Sequence, residues 1–271
     1  MTIAQALILG IVQGLTEFLP VSSDGHLVIV QEVFGLRPPN AVAYDVLLHL
    51  GTLIAVVAYF WRDLLDMALA LLGRGGVEQP VRLRWIFLLG LATVPVALAG
   101  LLLEDWFEQT FHSLATAGVG LLVTGTLLSL IVGRGATGRM AKDLTVRDAI
   151  VIGGIQTLAL LPGVSRSGST LFAALTVGVE RNTAARFSFL LSIPAIVGAL
   201  VLKAPAVLDM ARDGNAAPLI VGPLAAAVTG WLAIEVMMRA IRSGSLRGFS
   251  VYCWATGALV LVWSVVGGIG G

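Results

Sequence analysis

Six stretches of this chain are apolar for about twenty residues each, the length an α-helix needs to cross the hydrocarbon core of a bilayer. They fall at about 41–61, 83–103, 113–132, 184–203, 217–238 and 249–269. Such runs must be helical, because the bilayer core offers the backbone no hydrogen-bond partner outside the segment itself. The composition agrees: 57% of the 271 residues are apolar and only 12% are charged, whereas soluble domains carry about twice that charged share. A net charge of +1 sets up no field for nucleic acid, so none is expected as a partner. The first basic residue is Arg37, which leaves no basic region for a cleavable leader. The lone cysteine, Cys253, lies in an apolar run and reads as a buried, inert thiol.

Four further apolar pieces, about 2–18, 26–36, 147–161 and 168–180, are too short or interrupted to span. They come in pairs, each pair flanking a polar turn at Pro20–Gly25 or Pro162–Gly168. Short helices broken by such turns are expected to be re-entrant hairpins, tolerated at membrane depth only where protein or a wet cavity surrounds them. A gapless shift of 143 residues places Gly10–Gly25 on Gly153–Gly168, with identities at Gly10/Gly153, Gln13/Gln156, Leu15/Leu158, Val21/Val164, Ser22/Ser165 and Gly25/Gly168. Each half then holds a hairpin and three spans. Three is odd, so the halves are expected to face opposite ways, with the site where the broken elements meet. The expected fold is an all-α polytopic membrane domain over 1–271, six transmembrane helices plus two re-entrant hairpins, with inverted repeats at about 1–132 and 144–271.

Loop charge orients this arrangement. The loops at about 62–82, 133–147 and 239–248, with Arg84 at the edge of the next span, hold 11 Lys and Arg residues; those at 104–112 and about 203–216 hold only Lys203 and Arg212. The positive-inside rule places the first set in the cytoplasm, and the first hairpin then enters from outside. Trp61, Trp85 and Trp106 stand at span ends as an aromatic belt would, and His112 falls in a loop.

Ionisable groups inside apolar segments are expensive and mark function. Gln13 and Glu17 lie one helical turn apart, on one face. The turn after them gathers Ser22, Ser23, Asp24 and His26 within five residues. Capping by Ser23 or Asp24 would explain one of these polar groups but not all of them. The second turn holds Gly163, Ser165, Arg166, Ser167, Gly168 and Thr170. A glycine-containing turn that opens a helix aims N–H groups at an anion, and Arg166 adds a planar fork suited to phosphate oxygens. Its bland role would be an ion pair with Glu17 or Asp24. Neither phosphate-loop nor dinucleotide glycine spacing is present. Asp45 and His49, four residues apart, either pair locally or line the site. Gly10 with Gly14, and Gly118 with Gly120 and Gly125, read as close helix contacts.

Gln13–Glu17 with Pro20–His26, and Pro162–Thr170, resemble the two signature segments of the undecaprenyl-diphosphate phosphatase (BacA) family. The resemblance covers essentially the whole chain. It implies hydrolysis of a prenyl diphosphate lipid to the monophosphate in the bacterial inner membrane, recycling a cell-wall carrier lipid and conferring bacitracin tolerance. It also implies a divalent cation, Mg²⁺ or Ca²⁺, for which Glu17, Gln13 and Asp24 are the expected ligands. Two positions depart from the family pattern: Gln13 replaces a first carboxylate, and Asp24 stands where Thr or Ser is usual. A serine needs a base to attack phosphorus. That makes Ser23 the expected nucleophile, with Glu17 as base or metal ligand and His26 donating a proton to the leaving phosphate; exchanging the roles of Ser23 and His26 stays open. Arg166 would stabilise the transferring phosphoryl group, with Ser22, Gly163, Ser165, Ser167, Gly168 and Thr170 binding phosphate. The site should open to the extracytoplasmic face. Membrane lipid is a further expected partner, and a homodimer remains open. The rival reading is a transporter that flips a prenyl phosphate lipid without hydrolysis, since inverted repeats with broken helices are common in transport; a third is a lipid-binding subunit without catalysis.

Overall fold

The computed structural model describes residues 1–36, 38, 40–103, 113–134, 138–212 and 216–267. Trp106, His112 and the expected loop at 104–112 lie outside the described residues. Each of the six apolar runs forms a helix long and apolar enough to cross a membrane: α3 (Ala41–Tyr59), α5 (Gln79–Leu102), α6 (Leu114–Ile131), α9 (Arg181–Arg212), α10 (Ala216–Ser243) and α11 (Arg247–Gly267). The four short pieces are helices too: α1 (Ile3–Phe18), α2 (Ser23–Val33), α7 (Val146–Gln156) and α8 (Arg166–Thr176), with a 3-10 turn at Thr157–Leu160 after α7. Among the described residues the one β feature is an isolated bridge between Arg139 and Val179.

Two boundaries correct the sequence reading. The segment 62–82 is not all loop, since it contains α4 (Trp61–Leu71). Trp61, Leu65 and Leu71 of α4 are exposed while Met67 and Ala70 are buried, the two-sided pattern of a helix lying along an interface. α9 likewise runs through Lys203 and Pro205 to Arg212, 32 residues in all. At 1.5 Å per residue that is roughly 48 Å, well beyond a bilayer core. A helix leaving hydrocarbon need not end there, because its backbone stays internally bonded in water as well.

Small residues set the packing. Gly10 and Gly14 of α1 lie against Gly222, Ala226 and Gly230 of α10, and Gly51 of α3 meets α10 at Pro223. Gly118 and Gly125 of α6 face Gly257 and Trp254 of α11 in the same manner. Without side chains at these points backbones approach closely, the main source of helix association where lipid competes for apolar contact. Cys253 is buried on α11, its thiol 3.6 Å from the Pro20 carbonyl at the first polar turn.

Helix starts reveal a second layer of correspondence between the halves. Thr2 and Gln5 form a capping box on α1, and Thr145 and Asp148 form one on α7. Ser22 caps α2 by accepting from Gly25 N at 3.3 Å, and Ser165 caps α8 by accepting from Gly168 N at 3.1 Å. Both pairs of caps are separated by the same 143 residues as the sequence identities. The cap of α2 is therefore Ser22, not Ser23 or Asp24, and those two side chains are released for other contacts.

Candidate active site

The two polar turns meet back to back. A Cβ added to Gly25 would come within 2.8 Å of the Gly163 Cα, a separation only glycine permits. Gly163 has φ +89, and a side chain there would also run into α6 at Ala117 and Leu121. Ser167 Oγ donates to the Leu19 carbonyl at 3.1 Å, stitching the second turn to the first. Thr124 of α6 holds the second turn from behind: its hydroxyl donates to the Gly163 carbonyl at 2.8 Å and accepts from Ser165 N at 2.9 Å. Ser22 is the one non-glycine residue with positive φ among the described residues, at φ 68. Such a conformation costs roughly 1–3 kcal/mol and persists only when surroundings over-determine it. Here they do: His26 Nδ1 lies 2.7 Å from the Ser22 carbonyl, and His26 Nε2 lies 2.7 Å from Tyr252 Oη on α11.

Where the turns meet, Glu17 is the hub. Its Oε2 accepts from Ser23 Oγ at 2.6 Å and from Gln13 Nε2 at 3.1 Å, and lies 3.3 Å from His49 Nε2. Its Oε1 accepts from Arg166 Nη2 at 2.8 Å. The same guanidinium donates through Nη1 to the Ser188 carbonyl of α9 at 3.0 Å. Arg166 therefore pairs with Glu17 and not with Asp24. His49 is tied to its own helix by Nδ1, 2.8 Å from the Asp45 carbonyl, with Nε2 directed at Glu17 and 3.8 Å from Asp24 Oδ1. The Asp45 carboxylate does not pair with His49; it accepts from Gln31 Nε2 of α2 at 2.8 and 3.1 Å.

This cluster closes one end of a cavity of about 410 Å³. Of the expected site residues, Glu17, Ser22, Ser23, Asp24, Ser165 and Arg166 line it. Gln13, His26, Gly163, Ser167, Gly168 and Thr170 do not; they support the lining from behind. Thr170, for example, bonds the Arg166 carbonyl at 2.8 Å and Ser188 Oγ at 2.6 Å. The rest of the wall is largely apolar, from α3 (Val42, Val46), α5 (Val96, Leu101) and α9 (Ile196, Leu202). In the sequence His49 reads equally as a local partner of Asp45 or as a lining residue, and Thr124 carries no signal of its role. Gln156 had one legible signal, its correspondence to Gln13. It borders the cavity, is 1% exposed, and both its side-chain Nε2 and Oε1 are buried without a hydrogen-bond partner among the described residues. An unmade bond on a buried polar group costs about 1–3 kcal/mol.

Of the expected cation ligands, Glu17 and Asp24 line the cavity, whereas Gln13 does not. Among the described residues no three His, Cys, Asp or Glu side chains converge as metal ligands. Both Glu17 oxygens already accept from protein donors, and the spare Oε1 of Gln13 is buried outside the cavity wall. Charge opposite Glu17 comes from Arg166, a side chain of the second turn. What the arrangement offers chemically is a hydroxyl bonded to a carboxylate, beside a guanidinium and two helix N-termini, at the polar end of an apolar cavity.

Comparison with known proteins gives this chemistry a setting. Residues 6–259 match the family model described as bacitracin resistance protein BacA. A protein of Carboxydothermus hydrogenoformans named undecaprenyl-diphosphatase is 42% identical over 269 residues, covering 97% of this chain and 98% of that one. Proteins of the same name from Gemmatimonas aurantiaca (43% identical, 96% and 97% covered) and Methanobrevibacter smithii (41%, 98% and 99%) are similar throughout.

Proposed function

The chain belongs to the BacA bacitracin-resistance family, and we propose that it hydrolyses undecaprenyl diphosphate at the cluster of Ser23, Glu17 and Arg166. The products are inorganic phosphate and the monophosphate lipid, which returns to cell-wall synthesis. One observation carries the assignment: Ser23 Oγ donates to Glu17 Oε2 at 2.6 Å while Arg166 holds the other carboxylate oxygen at 2.8 Å. Nucleophile, base and charge stabiliser thus share one carboxylate, the geometry activated nucleophiles require.

The lipid diphosphate enters with its chain along the apolar wall and its terminal phosphorus at Ser23. Ser23 stands at the first position of α2 and Arg166 at the first position of α8, so both helix N-termini favour the anion. Ser23 Oγ attacks the terminal phosphorus, its proton passes to Glu17, and the bridging P–O bond breaks to release the monophosphate lipid. The departing lipid phosphate takes that proton from Glu17, so the carboxylate is again free to act as base. Water, giving a proton to Glu17, then attacks the phosphoserine; the Oγ–P bond breaks, Ser23 Oγ recovers the proton from Glu17, and inorganic phosphate leaves. Arg166 stabilises the phosphoryl oxygens in both steps, work worth about 10²–10³ in rate for one well-placed donor. Ser23 is preferred to His26 as nucleophile because Ser23 lines the cavity and His26 does not; His26 holds the Ser22 turn instead. A flippase reading needs anion binding but gives the Ser23–Glu17 hydrogen bond nothing to do.

The same proposal includes the finer architecture. The two hairpins, α1–α2 and α7–α8, are re-entrant, the halves at about 1–132 and 144–271 are inverted copies, and the cavity opens to the extracytoplasmic face of the inner membrane. The matching caps and the meeting turns support this reading. A divalent cation remains a proposal resting on the resemblance, with chelation during assay as its test. The test of the function is phosphate release from undecaprenyl diphosphate by purified protein. Ser23→Ala should lower turnover by at least about 10³-fold, and turnover near wild type would remove Ser23 as nucleophile.

A further inference from the structure

Gln156 is the one residue of the cavity wall, among the described residues, whose side-chain polar atoms are both buried and unpaired. Its counterpart in the first half shows what such an amide does when it has a partner. Gln13 donates to Glu17, four residues on, at 3.1 Å. Four residues after Gln156 stands Leu160, which can accept nothing through its side chain. The helix position is the same, the carboxylate is gone, and Gln156 belongs to the cavity wall with its amide buried.

We propose that Gln156 is a substrate-binding residue that donates through Nε2 to an oxygen of the lipid-bearing phosphate, the one that is not transferred. This deepens the phosphatase reading and rests on it. The assignment to that phosphate follows from placement. Arg166 and Ser23 hold the end where the terminal phosphorus reacts, whereas Gln156 lines the cavity from α7, as do Ala159 and Leu160 after it and Thr93 and Val96 of α5. α7 packs on α5 one turn earlier, at Gly153 against Ala92, which fixes the amide at that wall. A neutral amide suits this position. It adds a donor to a site already holding a guanidinium, and its Oε1 can accept from water or from a phosphate hydroxyl. Rotation about the side-chain torsions turns the amide toward the arriving head group.

The full-length protein in lipid is the material for the test. Gln156→Met keeps length and burial and removes the amide. Expected are a KM for undecaprenyl diphosphate raised about tenfold, kcat within about twofold, and a substrate-free melting temperature unchanged or higher, since no unpaired group is left buried. A structural role would do the reverse, lowering the melting temperature and leaving KM alone, and that result overturns the proposal. If the Met variant does not fold, Gln156→Asn, which retracts the amide, should raise KM in the same sense; an unchanged KM there overturns it too. Binding is read separately as heat stabilisation by undecaprenyl diphosphate in Ser23→Ala protein. Adding Gln156→Met should weaken that stabilisation. Stabilisation left intact removes Gln156 alone, whereas hydrolysis surviving Ser23→Ala removes the catalytic reading beneath it.

Discussion

The two polar turns share a scaffold and differ at the cavity-lining positions that carry charge. Ser22 and Ser165 make the same cap, and the glycines at 25 and 168 receive it. Yet Glu17 corresponds to Leu160, Ser23 to Arg166 and Pro20 to Gly163. One turn supplies the carboxylate and the hydroxyl, the other the guanidinium. Neither is an active site by itself. A shared cap thus sets where both helix N-termini point, and a few differing residues decide which groups each turn brings there.

Breaking the division at its charged link should have the largest effect. Arg166→Lys keeps the positive charge but cannot reach both Glu17 and the Ser188 carbonyl, as the guanidinium does at 2.8 and 3.0 Å. Activity should fall by about 10²-fold or more, because an ammonium is a point charge without a planar fork. Phosphate release measured at saturating lipid decides it. Near-normal kcat would mean that the second turn contributes charge alone, and the comparison would lose its geometric half.

Next comes the difference between Pro20 and Gly163. At Gly163 the backbone has φ +89 and touches both α6 and Gly25. Gly163→Ala should therefore destabilise the protein by about 3 kcal/mol, combining a disfavoured conformation with an overpacked contact. Pro20→Ala should cost well under half of that. The melting temperatures of the two variants sharpen the comparison if they separate this way, and break it if they coincide.

Much of this was legible in the chain itself. Six spans and four short pieces follow from apolar length, and the turns at Pro20–Gly25 and Pro162–Gly168 stand out because polar residues are scarce elsewhere. What escaped depends on tertiary contact. His49 and Asp45 look like a local pair at helical spacing, yet the Asp45 carboxylate binds Gln31 and His49 faces Glu17. Thr124 is one of four hydroxyl residues along α6, with Thr116, Thr126 and Ser129, and shows its purpose only against Gly163. His26 belongs to the densest polar motif but points at Tyr252 on α11, a direction no local pattern encodes. Helix α4 was hidden because its apolar face is only half of a short, charged segment.

The smallest expected effect lies at the far ends of the two hairpins, where the capping boxes correspond but their chemistry does not. In the first, Gln5 Oε1 accepts from Thr2 N at 2.8 Å, a neutral contact. In the second, Asp148 accepts from Thr145 N at 2.8 Å and from both ends of the Arg139 guanidinium at 2.8 Å. Burial alone would push the Asp148 carboxyl up, but hydrogen bonds from Arg139 and Thr145 outweigh it and hold the group below its ordinary value. A carboxyl depressed in the folded state stabilises the fold above its unfolded pKa, about 3.9. That contribution is lost as pH falls through the lower folded value. Acid below about pH 4 should therefore loosen α7 and leave the start of α1 unaffected. Arg139 is partly solvated, so screening keeps the effect small, on the order of a single helix cap at about 1 kcal/mol. Amide exchange at Arg147–Ala149, compared with Ala4–Ala6 across the acid range, reads the two boxes side by side. Asp148→Asn should remove the acid sensitivity of the second box. If both helix starts open together in acid, or if the Asn variant keeps the same pH dependence, the charge difference between the halves has no bearing on their stability.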